Sequence, residues 1–315
     1  MKGVIDGLRD RPVIVTGGRG YIGSCLAQAL ARAGAQVLSL DRRGADVRAR
    51  ETWDAIVQAA PLIFHLAGTT SHTEAAGSLE STVMPVRHLI DAAKAAGRHP
   101  RVVFASTATV YGLAGVMPVD EDTPASPITV YDAHKLAAEG LLAGASEQGL
   151  IDAVSLRCAN VYGPSPRASA ARDRGVLNRA ARQALSAGDL QVFGDGRYLR
   201  DYVYIDDVVR AFTTIATTPV LTGRVFNVGS GRGVAVGDAF ALVAAGASRM
   251  TQTDIRVRTV PWPPDTHPIE RRNFTASIAR LTAACGWVPS VGIEEGVERL
   301  LEYVAHDRSS LSCSA

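Results

Sequence analysis

The sequence predicts an α/β protein: a Rossmann-type doubly wound parallel sheet with a smaller C-terminal substrate-binding lobe. Three observations predict it. Short apolar runs alternate with helical stretches through the first half of the chain. The runs are continuously apolar, not alternating, which means that both faces of each strand are covered. The first run also ends in a glycine-rich turn that opens into a helix.

Taken in order, a polar lead-in over 1–10 gives way to Pro12-Val13-Ile14-Val15-Thr16, a buried strand that stops at glycines, and 22–33 is alanine-rich and helical. Residues 37–41 read as a second strand closed by Asp41, 54–60 as a helix and 62–66 as a third strand. A long helix is expected over 78–96, a strand over 101–106, a helix over 131–148 and a strand over 153–157. From about residue 164 the texture changes. Pro164, Pro166 and the basic-polar stretch 167–174 form a loop, followed by a helix over 176–187. A Gly194-Asp195-Gly196 turn, strands at 202–205 and 225–228, and a proline-rich loop over 261–268 complete the pattern. This divides the chain into a dinucleotide-binding unit, 1–165, and a substrate-binding lobe, 166–315, with parts of 200–230 returning to the core sheet.

Composition narrows the function. A chain of 315 residues with 47% hydrophobic and 20% charged content can bury a large core and is too apolar for disorder. The net charge of +2, with acids and bases mixed along the chain, gives no field to attract nucleic acid or a membrane surface. Cys25, Cys158, Cys285 and Cys313 are far apart and form no C-x-x-C pair. Neither a metal site nor a disulfide framework is expected, and a reducing cytoplasm is the expected compartment. No apolar run approaches the roughly 18–20 residues of a membrane span, and the N-terminus lacks a signal-peptide core.

The chemistry begins at Thr16-Gly17-Gly18-Arg19-Gly20-Tyr21-Ile22-Gly23, between the first strand and the first helix. Glycines at 17, 20 and 23 let the backbone turn tightly and approach a pyrophosphate, while the helix N-terminus supplies amide donors and a favourable dipole. Asp41 closes the next strand where the adenosine ribose of a dinucleotide lies, and a carboxylate there accepts from both ribose hydroxyls and repels a 2′-phosphate. NAD is therefore favoured. The bland alternative is that Asp41 only caps the following turn, and a guanidinium cluster of Arg19, Arg42 and Arg43 keeps NADP open.

Further along, Thr107 follows a strand, and Tyr131 and Lys135 stand four apart at the start of a helix, on one face. Alone, such a pair is two ordinary helix residues. Downstream of a dinucleotide cradle it is a candidate catalytic pair. A nearby ammonium stabilises a phenolate and draws the tyrosine toward use as a general base, and a Thr107 hydroxyl can bind the same substrate oxygen.

These motifs resemble the extended short-chain dehydrogenase/reductase family, in its nucleotide-sugar epimerase/dehydratase branch, from Arg11 to about Ala305. The landmarks are TGGRGYIG, FHLAG (64–68), STATVYG (106–112), YDAHK (131–135), NVYGP (160–164), FGDG (193–196), RDYVYIDDVVRA (200–211) and FNVGSG (226–231). The resemblance implies that Asp46 and Val47 flank the adenine and that Leu66, Ala67 and Gly68 line the cofactor. It puts Thr107, Tyr131 and Lys135 in the catalytic positions, and Asn160, Asn178 and Arg200 where relatives grip a nucleotide diphosphate and base. Phe193 matches a residue against the nucleobase; ordinary core serves equally well. It also implies a homodimer through the helices 78–96 and 131–148.

In the related dehydratases and decarboxylases an acid follows the catalytic Ser/Thr within two residues, whereas here those positions are Ala108 and Thr109. Neither can protonate a departing hydroxyl, and the segment resembles the 4-epimerases. A ketoreductase using NADPH is the alternative, and a non-catalytic dinucleotide sensor is disfavoured because Tyr131 and Lys135 are both present. Several positions depart from the family. The segment between Asp41 and Asp46 is too short for the usual helix, Thr82 replaces a common asparagine, and Trp262-Pro263-Pro264-Asp265 replaces a common Arg-Pro-Gly-Asp, with Arg271 or Arg272 as candidates to compensate. His65, in a buried strand, reads as a satisfied core residue, and His72 as a loop residue near the nicotinamide side.

Overall fold

The computed structural model describes residues 6–68, 79–167, 169–171, 174–219, 221 and 224–312. His72 and Cys313 lie outside them, as does Ser78, where the 78–96 helix was expected to begin. Strands β1 (Pro12–Thr16), β2 (Gln36–Leu40), β3 (Leu62–His65), β4 (Arg101–Thr107), β5 (Asp152–Cys158) and β9 (Val225–Val228) form one sheet in the order β2-β1-β3-β4-β5-β9, all parallel. Consecutive side chains of each strand face opposite sides. Val13, Val15, Leu62, Phe64 and Val103 join one hydrophobic cluster, and Ile14, Ile63, Val102 and Phe104 another. This is why the strands are apolar throughout: helices α1 (Tyr21–Arg32) and α6 (Ile205–Thr217) cover one face, and α2 (Arg50–Ala59), α3 (Met84–Ala96) and α4 (Val130–Glu147) cover the other.

The chain winds outward from β1 in both directions, so β1 and β3 flank a switch point, and a crevice opens beyond their carboxyl ends. Between Leu40 and Arg50 the backbone forms only turns, with no helix or strand. The expected deletion is thus real, and it leaves β2 as the bare edge of the sheet, with Leu38 51% exposed. One helix expectation is corrected at its start. The turn Leu79–Val83 is π-helical, and regular α-helix begins at Met84, where Pro85 occupies the first turn. A π-turn places i→i+5 bonds that side-chain periodicity does not disclose.

The remaining elements hang from the far side of the crevice. Strand β8 (Leu199–Tyr204) pairs with β6 (Asn160–Tyr162) and antiparallel with β10 (Gly233–Ala235), and β7 (Leu190–Phe193) pairs with β11 (Val257–Val260). Helices α5 (Val176–Ala187), α7 (Val236–Thr251), α8 (Ala279–Cys285) and α9 (Ile293–Ser312) fill this side. Two buried acids bind the connections. Asp201 accepts from Ser230 N, Ser230 Oγ, Gly231 N and Ala276 N, and Asp207 accepts from Ser290 N and Val291 N. Two of the three acidic positions of the RDYVYIDD motif therefore hold loops in place, satisfying backbone donors that burial would otherwise orphan. No helix among the described residues is long and apolar enough to cross a membrane.

Candidate active site

A cleft of about 1340 Å³ runs from the glycine turn after β1, past the end of β4 and the start of α4, to β7 and β8. At its first end the glycines are sterically required. A Cβ on Gly17, whose φ is +70°, would lie 2.7 Å from the backbone of Leu66 and Ala67, and one on Gly23 would lie 2.2 Å from Gly17 O. No side chain caps the start of α1, so its amides remain available at the cleft, which Gly17, Gly20, Tyr21, Ile22 and Gly23 line. Thr82 adds a buried hydroxyl with no partner among the described residues, facing Gly68. A bare helix mouth, close-packed glycines and an orphaned hydroxyl together fit the pyrophosphate side of a dinucleotide.

The adenosine side differs from expectation in its details. Asp41 does cap the following turn: its Oδ1 accepts from Arg43 N at 3.0 Å and Gly44 N at 3.1 Å, and its Oδ2 pairs with Arg19 Nε at 3.2 Å. Arg42, not Asp41, lines the cleft. Asp46 is held by Arg48, whose guanidinium and amide lower its carboxyl to about 2, and Val47 O accepts from Trp53 Nε1 at 2.7 Å. Asp46, Val47 and Ala67 stand outside the wall of the main cleft, whereas Leu66 and Gly68 are part of it.

Thr107, Tyr131 and Lys135 converge on the middle of the cleft. Lys135 donates from Nζ to Ala105 O at 2.7 Å and sits 4.5 Å from the Phe104 ring centroid. Burial lowers its pKa to about 8, against the opposing influence of Cys158 and Glu139. Tyr131 departs from the sequence expectation. Its pKa is raised, by burial first and then by the Asp132 carboxylate and Cys158, with only Arg174 pulling it down. Burial and the Asp132 carboxylate hold the proton on the phenol, and the Lys135 ammonium is committed to the Ala105 carbonyl.

One prediction follows from Lys135. Its folded pKa lies below that of a free lysine, so the protein holds an ammonium there below about pH 8 and a neutral amine above it. The chain has three lysines, Lys2, Lys94 and Lys135. Reductive ¹³C-methylation of the protein is expected to show one lysine resonance titrating near pH 8, apart from the ordinary value of about 10.4 and in addition to the α-amino group, which titrates at about 7.7–8.0. The lysine resonance should vanish in Lys135→Arg while the α-amino one stays, and three lysine midpoints all above pH 10 would refute the burial argument.

The far end of the cleft is basic and aromatic. Arg200 is buried; it donates to Glu270 O at 2.6 Å, Leu199 O at 3.1 Å and Arg272 O. Arg272, also in the wall, has its pKa lowered to about 10 by burial and then by Arg200. Two neighbouring guanidiniums, neither bonded to a carboxylate among the described residues, present donors suited to an anion. Of the two candidates to compensate for the missing motif arginine, Arg272 lines the cleft, whereas Arg271 stacks on Trp262. Phe193, 38% exposed, also stacks on Trp262 at 5.4 Å, and Gly194 leaves room for that indole. Asn160 lines the cleft and donates to Asp201 O at 3.1 Å. Asn178 does not line it: its buried amide donates to Gly163 O at 2.8 Å and accepts from Gly163 N at 3.0 Å, clasping the NVYGP loop.

Sequence reasoning passed over Asp132, fully buried behind Thr109. The only advance signal for Asp132 was its place inside the YDAHK motif. His65 is a core residue, bonded through Nδ1 to Thr16 Oγ1 at 2.7 Å and kept neutral by burial, its pKa lowered to about 3. It is satisfied at that nitrogen alone, since Nε2 has no partner among the described residues.

Comparison with known proteins agrees with this geometry. The chain is 30% identical to the UDP-glucose 4-epimerase of Mycolicibacterium smegmatis, with 92% of this chain and 97% of that protein covered. Its fold superposes on the Thermotoga maritima UDP-glucose 4-epimerase solved with UDP-glucose at a TM-score of 0.81 and 29% identity, over 95% of this chain and 99% of that one. It likewise matches MoeE5 in complex with UDP-glucuronic acid and NAD at a TM-score of 0.82 and 27% identity, over 94% and 99%. Residues 13–229 match the model of the NAD dependent epimerase/dehydratase family. The chain is an enzyme of that family.

Proposed function

We propose that this enzyme is a nucleotide-sugar epimerase acting at C4 of a UDP- or dTDP-sugar, with NAD retained through each cycle. The observation that carries this reading is the convergence of Thr107, Tyr131 and Lys135 between the glycine-lined helix mouth and the Arg200–Arg272 pair, with no acid among the described residues in the cleft wall beside Thr107. Bound NAD would supply a reversible hydride acceptor, taking and giving back the hydride at one sugar carbon. Tyr131 would take the proton of that carbon's hydroxyl and return it once the keto-sugar has turned its other face. Lys135 holds the nicotinamide ribose and Thr107 orients the reacting oxygen. Arg200 and Arg272 hold the diphosphate, with Asn160 beside it and Phe193 offering its ring to the base. Asp41, Asp46, Val47 and Leu66 to Gly68 complete our assignment of the cofactor contacts.

The test is direct. Purified protein is expected to carry NAD and to interconvert gluco- and galacto-configured UDP- or dTDP-sugars without net redox change. Stoichiometric NADPH consumption with a keto-sugar would instead establish the ketoreductase. One observation favours that second reading: Arg42 faces the cleft at the adenosine end while Asp41 is engaged by Arg19 and the turn.

We also propose a cytoplasmic homodimer joined through α3 and α4. Ala133, Ala137 and Gly140 are exposed along one side of α4, a smooth face for a partner helix. Sedimentation is expected to give a dimer, and Ala137→Glu a monomer. A monomeric native chain would reject the proposal.

A further inference from the structure

A line of hydrogen bonds behind the cleft has no part in the scheme above. Thr107 Oγ1 lies 2.8 Å from Thr109 Oγ1 and accepts from the Thr109 amide at 3.2 Å. Thr109 Oγ1 donates to Asp132 Oδ1, and Thr129 Oγ1 donates to Asp132 Oδ2 at 2.6 Å. Thr107 and Thr109 line the cleft, whereas Asp132 is buried and stands outside its wall.

Counting protons fixes the direction of the line. An ionised carboxylate only accepts, and each hydroxyl has one proton to give. Thr109 gives its proton to Asp132, in a charge-assisted bond stronger than one between neutral groups. Thr107 must therefore be the donor to Thr109. Its oxygen has then given its proton away, accepted one amide, and kept a single lone pair for the cleft.

We propose that Asp132 is a positioning residue which, through Thr109, holds Thr107 as a hydrogen-bond acceptor toward the substrate. This rests on the epimerase reading and adds a consequence to it. At rest the alcohol form of the sugar donates to Thr107, and its hydroxyl turns that one proton to Tyr131 as the hydride leaves. The keto form has no hydroxyl proton at that carbon and loses this bond, leaving Tyr131 as the donor to the carbonyl oxygen. The line thus favours alcohol plus oxidised cofactor over ketone plus reduced cofactor, and keeps the reactive keto-sugar scarce.

Thr109→Val removes the link while sparing the Thr129–Asp132 cap of α4, and Thr109→Ser restores the hydroxyl. Each protein is saturated with UDP-glucose, UDP-galactose or their dTDP counterparts. Bound NADH is read at 340 nm alongside epimer formation and melting temperature. With its proton released from Thr109, Thr107 can donate to the ketone, so Thr109→Val is expected to raise the NADH fraction about 2- to 10-fold. Thr109→Ser is expected to match the native protein. Turnover by the native protein with an unchanged or lower NADH fraction in Thr109→Val overturns the proposal alone. So does a rise shared equally by Thr109→Ser, which would trace to packing. Absence of epimer and of any 340 nm signal in all three proteins overturns the functional reading, and the proposal with it.

Discussion

Replacing Tyr131 with phenylalanine is expected to lower turnover by about 10²–10⁴-fold, the usual worth of a positioned general acid–base, while NAD affinity stays nearly unchanged. The substitution removes one hydroxyl and keeps the ring, so the start of α4 and the position of Lys135 should persist. The capping bonds that begin the helix come from Thr129 and Asp132, not from residue 131. Burial also raises the phenol's pKa. An unassisted Tyr131 holds its proton at neutral pH, so base function depends on cations beside it: Arg174 already, Lys135 while it remains an ammonium, and the oxidised nicotinamide when bound. Isothermal titration with NAD and steady-state rates with UDP-sugars separate the two effects. Turnover within tenfold of the native enzyme, or lost NAD binding with residual activity, would remove Tyr131 from its proposed role.

The parts of this site that were legible in the sequence are local ones. The glycine turn and the Tyr131–Lys135 pair are each contiguous, and a strand, a tight turn and a helix follow from a dozen residues whose spacing has one physical explanation. The deletion after β2 was legible for the same reason, since the four residues between Asp41 and Asp46 cannot hold a helix. What was hidden depends on distant contacts. Arg272 meets Arg200 across 72 residues of chain, and Asp132 meets Thr109 across 23. Asn178 illustrates the opposite error. Its amide suits a polar ligand, yet the fold spends it on Gly163, 15 residues away. Asp41 likewise carries the carboxylate expected at the end of β2, but Arg19 and its own turn engage both oxygens. Residue type reveals what a side chain can bond, and only the packed chain reveals what it does bond.

Glu139→Gln is expected to produce the largest loss of stability of any single isosteric change near the site. Glu139 lies one turn beyond Lys135 on α4, and its carboxylate pairs with Arg157 on β5 at 2.6 Å, the side chains only 4% and 8% exposed. Arg157 Nε adds bonds of 3.1 Å to both oxygens, and Ser106 donates to Oε1. Burial works against the Arg157 charge, but the Glu139 bonds more than offset it and raise its pKa. An amide in place of the carboxylate strands that guanidinium in the core, a change that costs about 3–5 kcal/mol when one partner of a buried pair is lost. The melting temperature should fall on the order of 10 °C. Removing both charges, as in Glu139→Leu with Arg157→Met, leaves no stranded ion and is expected to recover most of that loss. Equal losses in the single and double variants would show that shape, not charge, is what this pair contributes. The same substitution reaches the chemistry, because Glu139 is one of the two groups that hold up the Lys135 pKa against burial. In Glu139→Gln the Lys135 midpoint should drop further below about 8, shrinking the fraction of folded molecules that carry an ammonium beside Tyr131 at neutral pH.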